Sequence, residues 1–137
     1  MTRPTAAVRR EVVRRAGNRC EYCLIHQEDS AARHQVDHVI AEKHGGKTTL
    51  DNLALSCLPC NRRKSSDIGA TDPESGQFVR LFDPRRHEWS DHFRLVAERI
   101  VGLTPEGRAT VEFLQLNSPD RLQERAELIR LDRLSMD

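Results

Sequence analysis

The stretch VDHVIAEKHGGKTTLDNLALSCLPCNRRK, residues 36–64, decides how this chain is read. From His34 through His38 to Ile40 the residues alternate in the period-2 manner of a half-buried strand, and Leu53-Ala54-Leu55-Ser56 predicts a second, shorter one. Gly45-Gly46 marks the loop between them. Cys57-Leu58-Pro59-Cys60 closes the second strand, and the polar run over residues 61–66 suits one or two turns of helix. The segment therefore predicts two strands and a helix in direct succession.

Cys57-Leu58-Pro59-Cys60 has a counterpart upstream in Cys20-Glu21-Tyr22-Cys23. Two residues between cysteines let both sulfurs reach one tetrahedral ion, so the four together predict a zinc site. The interval between the pairs is longer than in a zinc ribbon, as expected if a hairpin is inserted between two knuckles. Four sulfurs fill the coordination sphere, which makes the Zn2+ structural. The rival readings are a redox-active CxxC or four unrelated core thiols. No run approaches the roughly 18 apolar residues of a membrane span, and the basic N-terminus lacks the apolar stretch of a signal peptide. The expected location is the cytoplasm, with no membrane partner, where thiols stay reduced and favour metal over disulfides.

Working outward, Pro4 with Val8, Val12 and Ala16 at helical spacing predicts a helix over residues 4–16, stopped by Gly17-Asn18. Downstream, residues 69–76 are rich in turn formers and residues 78–82 predict a strand ended by Asp83-Pro84. Leu103-Thr104-Pro105-Glu106 reads as a capped helix start followed by an apolar side of Ala109, Val111, Leu114 and Leu116. A final helix is expected from Ser118 to about Leu134, with Leu122, Ala126, Ile129 and Arg133 at helical spacing, and Trp89 is expected as a core anchor. The class is α+β. With 137 residues, 37% hydrophobic and 4% aromatic, the chain suits one domain over 1–137 whose modest core gains from a bound metal.

The net charge of +1 gives no global sign of a polyanion partner, but the charges are unevenly placed. Arg3, Arg9, Arg10, Arg14, Arg15 and Arg19 face a single acid, Glu11, within the first 19 residues. Arg62, Arg63 and Lys64 form a second basic knot after the last cysteine. Either group suits phosphate contact or a solvated helix face.

The succession Val36-Asp37-His38-Val39-Ile40, Gly45-Gly46, Asp51-Asn52-Leu53-Ala54-Leu55-Ser56-Cys57 and Cys60-Asn61-Arg62-Arg63-Lys64, with the flanking CxxC pairs, resembles the HNH endonuclease family. The resemblance is strongest over residues 18–66. It extends toward a bacterial stand-alone subgroup through residues 81–85, 89–93, 102–104 and 107–111, the subgroup pattern including His92. It implies a ββα-metal core with a structural zinc, an N-terminal helix and a C-terminal extension over about 77–137. The implied activity is metal-dependent hydrolysis of phosphodiester bonds in DNA, one strand per active site. On this resemblance His38 is the general base, Asp37 and Asn61 hold a catalytic Mg2+ or Mn2+, and Asn52 secures the loop and orients His38. Lys64 matches the motif best as a phosphate contact, with Arg62, Arg63, Lys43 and Lys47 beside it. Ala41 stands where many members have proline, Ser65 where the subgroup often has glycine, and Asp37 where part of the subgroup has glutamate. Adjacent strand residues point to opposite faces, so Asp37 and His38 can serve one site only if the strand ends or bends there. The alternatives are a catalytically idle zinc-ribbon module and an RNA-directed nuclease.

Overall fold

The computed structural model describes residues 2–135. It is α+β, with five α-helices and three two-stranded antiparallel ribbons. It divides into two compact units, one running to Ile68 and including Asp83–Arg86, the other formed by Gly69–Phe82 and the chain from His87. No helix among the described residues is long and apolar enough to cross a membrane.

The first unit begins with helix α1, Ala6–Arg15. It starts two residues beyond Pro4 because Thr5 is the cap, its hydroxyl accepting from Val8 N at 3.2 Å. Gly17 and Asn18, both at positive φ, end it, as only residues tolerant of the left-handed region do readily. Val12 is fully buried with Leu53 and Leu55, and Val8, Val13, Ala16 and Val36 pack around them. Strand β1, Gln35–His38, pairs antiparallel with β2, Leu53–Ser56, in a register that sets Asp37 opposite Ala54 and His38 opposite Leu53. Helix α2, Leu58–Lys64, follows at once, with Cys57 as its cap residue and a proline in its first turn. Arg15 of α1 donates to the carbonyls of Leu50 at 2.7 Å and Leu53 at 2.6 Å, so the helix also holds the end of the β1–β2 connection.

The second unit has its own small core of Ala70, Leu81 and Ala109, with Val79 and Phe113 against it. Strand β3, Gly69–Thr71, pairs with β4, Phe78–Arg80. The sequence places a turn-rich segment at residues 69–76; its first three residues are strand because pairing across the turn overrides their weak propensity. Asp72, fully buried, makes that turn by accepting from Glu74 N, Ser75 N and the Ser75 hydroxyl. Its carboxylate also takes both arms of Arg108, at 3.0 Å each. Helix α3, Trp89–His92, leads into a hairpin of β5, Phe93–Val96, and β6, Arg99–Gly102. The sequence offers no sign of this hairpin, whose turn is made with Ala97 at φ 51°. Trp89, expected as a core anchor, is half-buried and lies 5.0 Å from Phe93, ring to ring. Helices α4, Pro105–Phe113, and α5, Pro119–Arg130, match the expected starts. On α5 the expected inward Ala126 is exposed, and Arg125 is the buried residue, donating to the carbonyls of Glu98 and Leu116 at 2.7 Å.

Candidate active site and metal centre

Cys20 and Cys23 lie in a tight knuckle after α1, while Cys57 and Cys60 lie at the start of α2. The knuckle closes through Leu24 N to Cys20 O and Cys20 N to Ile25 O, both at 2.9 Å, with Leu24 at φ 70°. Tyr22 N and Cys23 N point at the Cys20 sulfur, at 3.4 and 3.5 Å. All four cysteines are buried and their sulfurs lie within 4.8 Å of one another, Cys23 and Cys57 at 3.6 Å. Sulfurs bound at about 2.3 Å to a tetrahedral zinc stand about 3.8 Å apart, so the cluster has the dimensions of a structural zinc site. The Cys20 sulfur holds the Cys57 thiol far above its ordinary value, and burial raises Cys60 likewise. A central cation is what makes four thiolates stable there, and the N-terminal end of α2 favours the same negative charge.

β2 and α2 flow from this cluster, and β1 is paired to β2, so the metal centre fixes the floor of a cleft of about 470 Å³. Asp37, His38 and Asn61 line it together with Glu42, Lys43 and Arg62. His38 is the last residue of β1, so the strand ends where two neighbouring side chains must serve one place.

Asp37 is half-buried, and one of its oxygens, Oδ2, is inaccessible and faces the Lys64 ammonium at 3.6 Å. Burial pushes its carboxyl up, with Lys64 and His38 opposing that shift. The Asp37 carboxylate and the side-chain oxygen of Asn61 line the same cleft, and two oxygen donors of that kind fit a hard divalent cation. The His38 ring is 4% exposed, with Nε2 2.8 Å from the Thr48 hydroxyl and 3.9 Å from Glu42 Oε1. Sequence reasoning missed both neighbours, because loop residues with no periodicity carry no signal of where they will point.

Asn52 clamps the connection between the strands. Its Oδ1 accepts from Ile40 N at 3.0 Å, and its Nδ2 donates to the carbonyls of Ile40 and Lys47 at 2.9 Å. Its main-chain carbonyl accepts from Val39 N, directly after His38. The clamp acts on the backbone around His38, and Thr48 is the side chain that meets the ring. Gly46 fits only without a side chain, since a Cβ there would stand 1.7 Å from Ile40 O.

The basic residues separate. Lys43 and Arg62 are exposed at the cleft, and Arg63 and Lys47 are exposed but do not line it. Lys64 departs from the expected phosphate contact. It is 2% exposed, donates from Nζ to the His38 carbonyl at 3.2 Å, and lies 3.6 Å from Asp37 Oδ2. The geometry of a helix turn explains this, since Asn61 and Lys64 are three apart and so share the face turned toward β1. His92 belongs to the second unit, where its Nδ1 is 2.6 Å from the Thr104 hydroxyl and its ring lies edge-on to Phe82 and tilted against His87.

Comparison with known proteins agrees with this geometry. The Septu protein PtuB of Bacillus thuringiensis is 25% identical over 109 residues, covering 78% of this chain and 40% of that relative, so the chain spans well under half of its length. No solved structure matches the chain at a significant level. The model of the HNH endonuclease family matches residues 20–67, the span from the first cysteine to just beyond α2.

Proposed function

We propose that this protein is an endonuclease that hydrolyses phosphodiester bonds in DNA, nicking one strand per active site in a reducing, cytoplasmic setting. The observation that carries the reading is the convergence of three chemically distinct groups on one cleft: the carboxylate of Asp37, the imidazole of His38 and the amide of Asn61. A module that only bound zinc and nucleic acid would gain nothing from a base beside two oxygen donors.

Asp37 and Asn61 would hold Mg2+ or Mn2+, which supplies charge neutralisation at the phosphate and at the leaving 3′ oxygen. His38 takes the proton of the attacking water. The Thr48 hydroxyl, 2.8 Å from Nε2, holds the imidazole ring in place. Lys64 ties the His38 carbonyl to the neighbourhood of Asp37, and Asn52 fixes the backbone that follows. Lys43 and Arg62 at the rim meet phosphates, joined by Arg63 and Lys47 for a longer duplex.

Nicking of supercoiled plasmid with Mg2+ or Mn2+ tests the reading. His38→Ala should lose about 10²- to 10⁴-fold in rate, the usual contribution of a general base. Mn2+ titrated calorimetrically should bind that variant as it binds wild type, whereas Asp37→Ala should bind it more weakly. Cleavage by His38→Ala at the wild-type rate would remove the mechanism. Faster cutting of an RNA of the same sequence would move the substrate to RNA.

A further inference from the structure

A second groove, of about 530 Å³, lies on the same unit along α1 and is lined by Arg9, Arg10, Arg14 and Arg33, with Val13 and Gln27 between them. Its charge is not balanced internally. Glu11 is taken by Arg14 through two hydrogen bonds of 2.8 and 2.5 Å. Among the described residues no carboxylate pairs with Arg9, Arg10 or Arg33, and Arg10 and Arg33 are exposed. A solvated helix face ordinarily spaces acids three or four residues from its bases. Here the guanidinium groups converge from two separate segments on one concavity instead.

The floor of the groove is held by hydrogen bonds. Gln27 accepts from His34 N and donates to Asn18 Oδ1, both at 2.8 Å, and Arg9 donates to His34 O at 3.0 Å. Arg9 Nε is buried and makes no hydrogen bond, so one donor of an anchored guanidinium remains unsatisfied. Burial, and then the neighbouring charge of Arg33, lower the affinity of Arg9 for its proton. An anion seated between the two relieves that repulsion.

The groove is continuous in sequence with the cleft. Arg33 is exposed, His34 is fully buried and Gln35 is exposed, and Gln35 lines the cleft beside Asp37 and His38. Two residues of extended chain span about 7 Å. That is about two nucleotides of strand at a rise of about 3.4 Å.

We propose that Arg9, Arg10 and Arg33 form an exosite for the phosphodiester backbone of the nucleic acid whose scissile phosphate occupies the cleft, so that the enzyme acts on polynucleotides several residues long. The inference rests on the nuclease reading above and adds to it the track along which the flanking strand runs. Each guanidinium neutralises one phosphate without reading sequence, and Val13 gives the sugar edge an apolar contact.

The test is fluorescence anisotropy of an end-labelled 20-base-pair duplex over a salt series, with magnesium omitted to prevent cleavage. Arg10→Ala/Arg33→Ala should flatten the plot of log affinity against log salt by about 1.8, at about 0.9 per phosphate contact in duplex DNA. Arg10→Glu/Arg33→Glu should weaken binding further. Arg94→Ala, which removes an exposed arginine of the other unit, should leave the slope unchanged. Circular dichroism confirms that each variant is folded, and both replaced side chains are exposed. An unchanged slope and affinity in both double variants overturns the exosite and leaves the groove to an acidic protein partner. Wild-type nicking after magnesium is restored judges the nuclease reading separately: protein that binds DNA through these arginines and never nicks keeps the groove and loses the enzyme.

Discussion

Lys64 ends a run of three basic residues, and from the chain alone it belongs with Arg62 and Arg63 on a DNA-facing surface. Its position three residues after Asn61 instead turns it inward, where its ammonium lies between the His38 carbonyl and Asp37. A cation at that place opposes the upward shift that burial gives the Asp37 carboxyl, and so favours the charged form that a metal needs. Lys64→Ala should therefore destabilise the protein by about 3 kcal/mol, the lower end for breaking a buried ion pair because the cleft admits water beside Asp37. It should also slow nicking. The salt dependence of DNA binding should stay as in wild type, since no phosphate contact is lost. A flatter salt dependence with unchanged urea midpoint would return Lys64 to the surface role.

At the scale of the element, the C-terminus of α2 carries a residue in the wrong chemistry for its backbone. Ser65 ends the helix at φ 49° and ψ −129°, a combination that only glycine adopts freely. The resembling subgroup often has glycine there, and this geometry gives a physical reason. Strain of this kind costs about 1 to 3 kcal/mol, against which glycine loses about 0.4 to 1 kcal/mol through the freedom it gains unfolded. Ser65→Gly should accordingly stabilise the protein by roughly 0.5 to 2 kcal/mol, read as a raised urea midpoint at constant slope; a lowered midpoint would contradict the strain. Elements that carry their own start, stop and period were legible in the chain: α1 with its apolar spacing and Gly17, β1 with its alternation, α4 with Thr104. Strand β3 was not, because Gly69–Thr71 becomes a strand only by pairing with Phe78–Arg80. The β5–β6 hairpin escaped for a related reason, since Ala97-Glu98 lacks the glycine or asparagine that announces a tight turn. In the candidate site, the cysteines could be read from spacing, and Asp37 and His38 from the resemblance to the HNH family. Thr48, Glu42 and the inward turn of Lys64 depend on how the loop and α2 pack, which no local pattern encodes.

At the scale of the whole molecule, the two units draw stability from different sources. The first has a small apolar cluster around Val12, Leu53 and Leu55, and its two cysteine pairs join the segment after α1 to the start of α2 across the entire β1–β2 connection. The second has a separate apolar cluster around Ala70, Leu81 and Ala109, a buried Asp72 paired with the half-buried Arg108, and no cysteine. Binding energy of a structural zinc is folding energy, so chelation should act on the first unit alone. The chain reports on itself: its single tyrosine, Tyr22, is buried within the first knuckle, and its single tryptophan, Trp89, packs on Phe93 in the second unit. Elemental analysis should find about one zinc per chain. Its removal by a chelator should abolish the near-ultraviolet signal of Tyr22 and the hydrogen-exchange protection of β1 and β2. Trp89 emission and the protection of β3, β4 and α4 should persist. Metal-free protein with β1 and β2 still protected would mean that the four thiols pack as a core of their own, and loss of both signals together would mean that the second unit cannot hold its structure without the first.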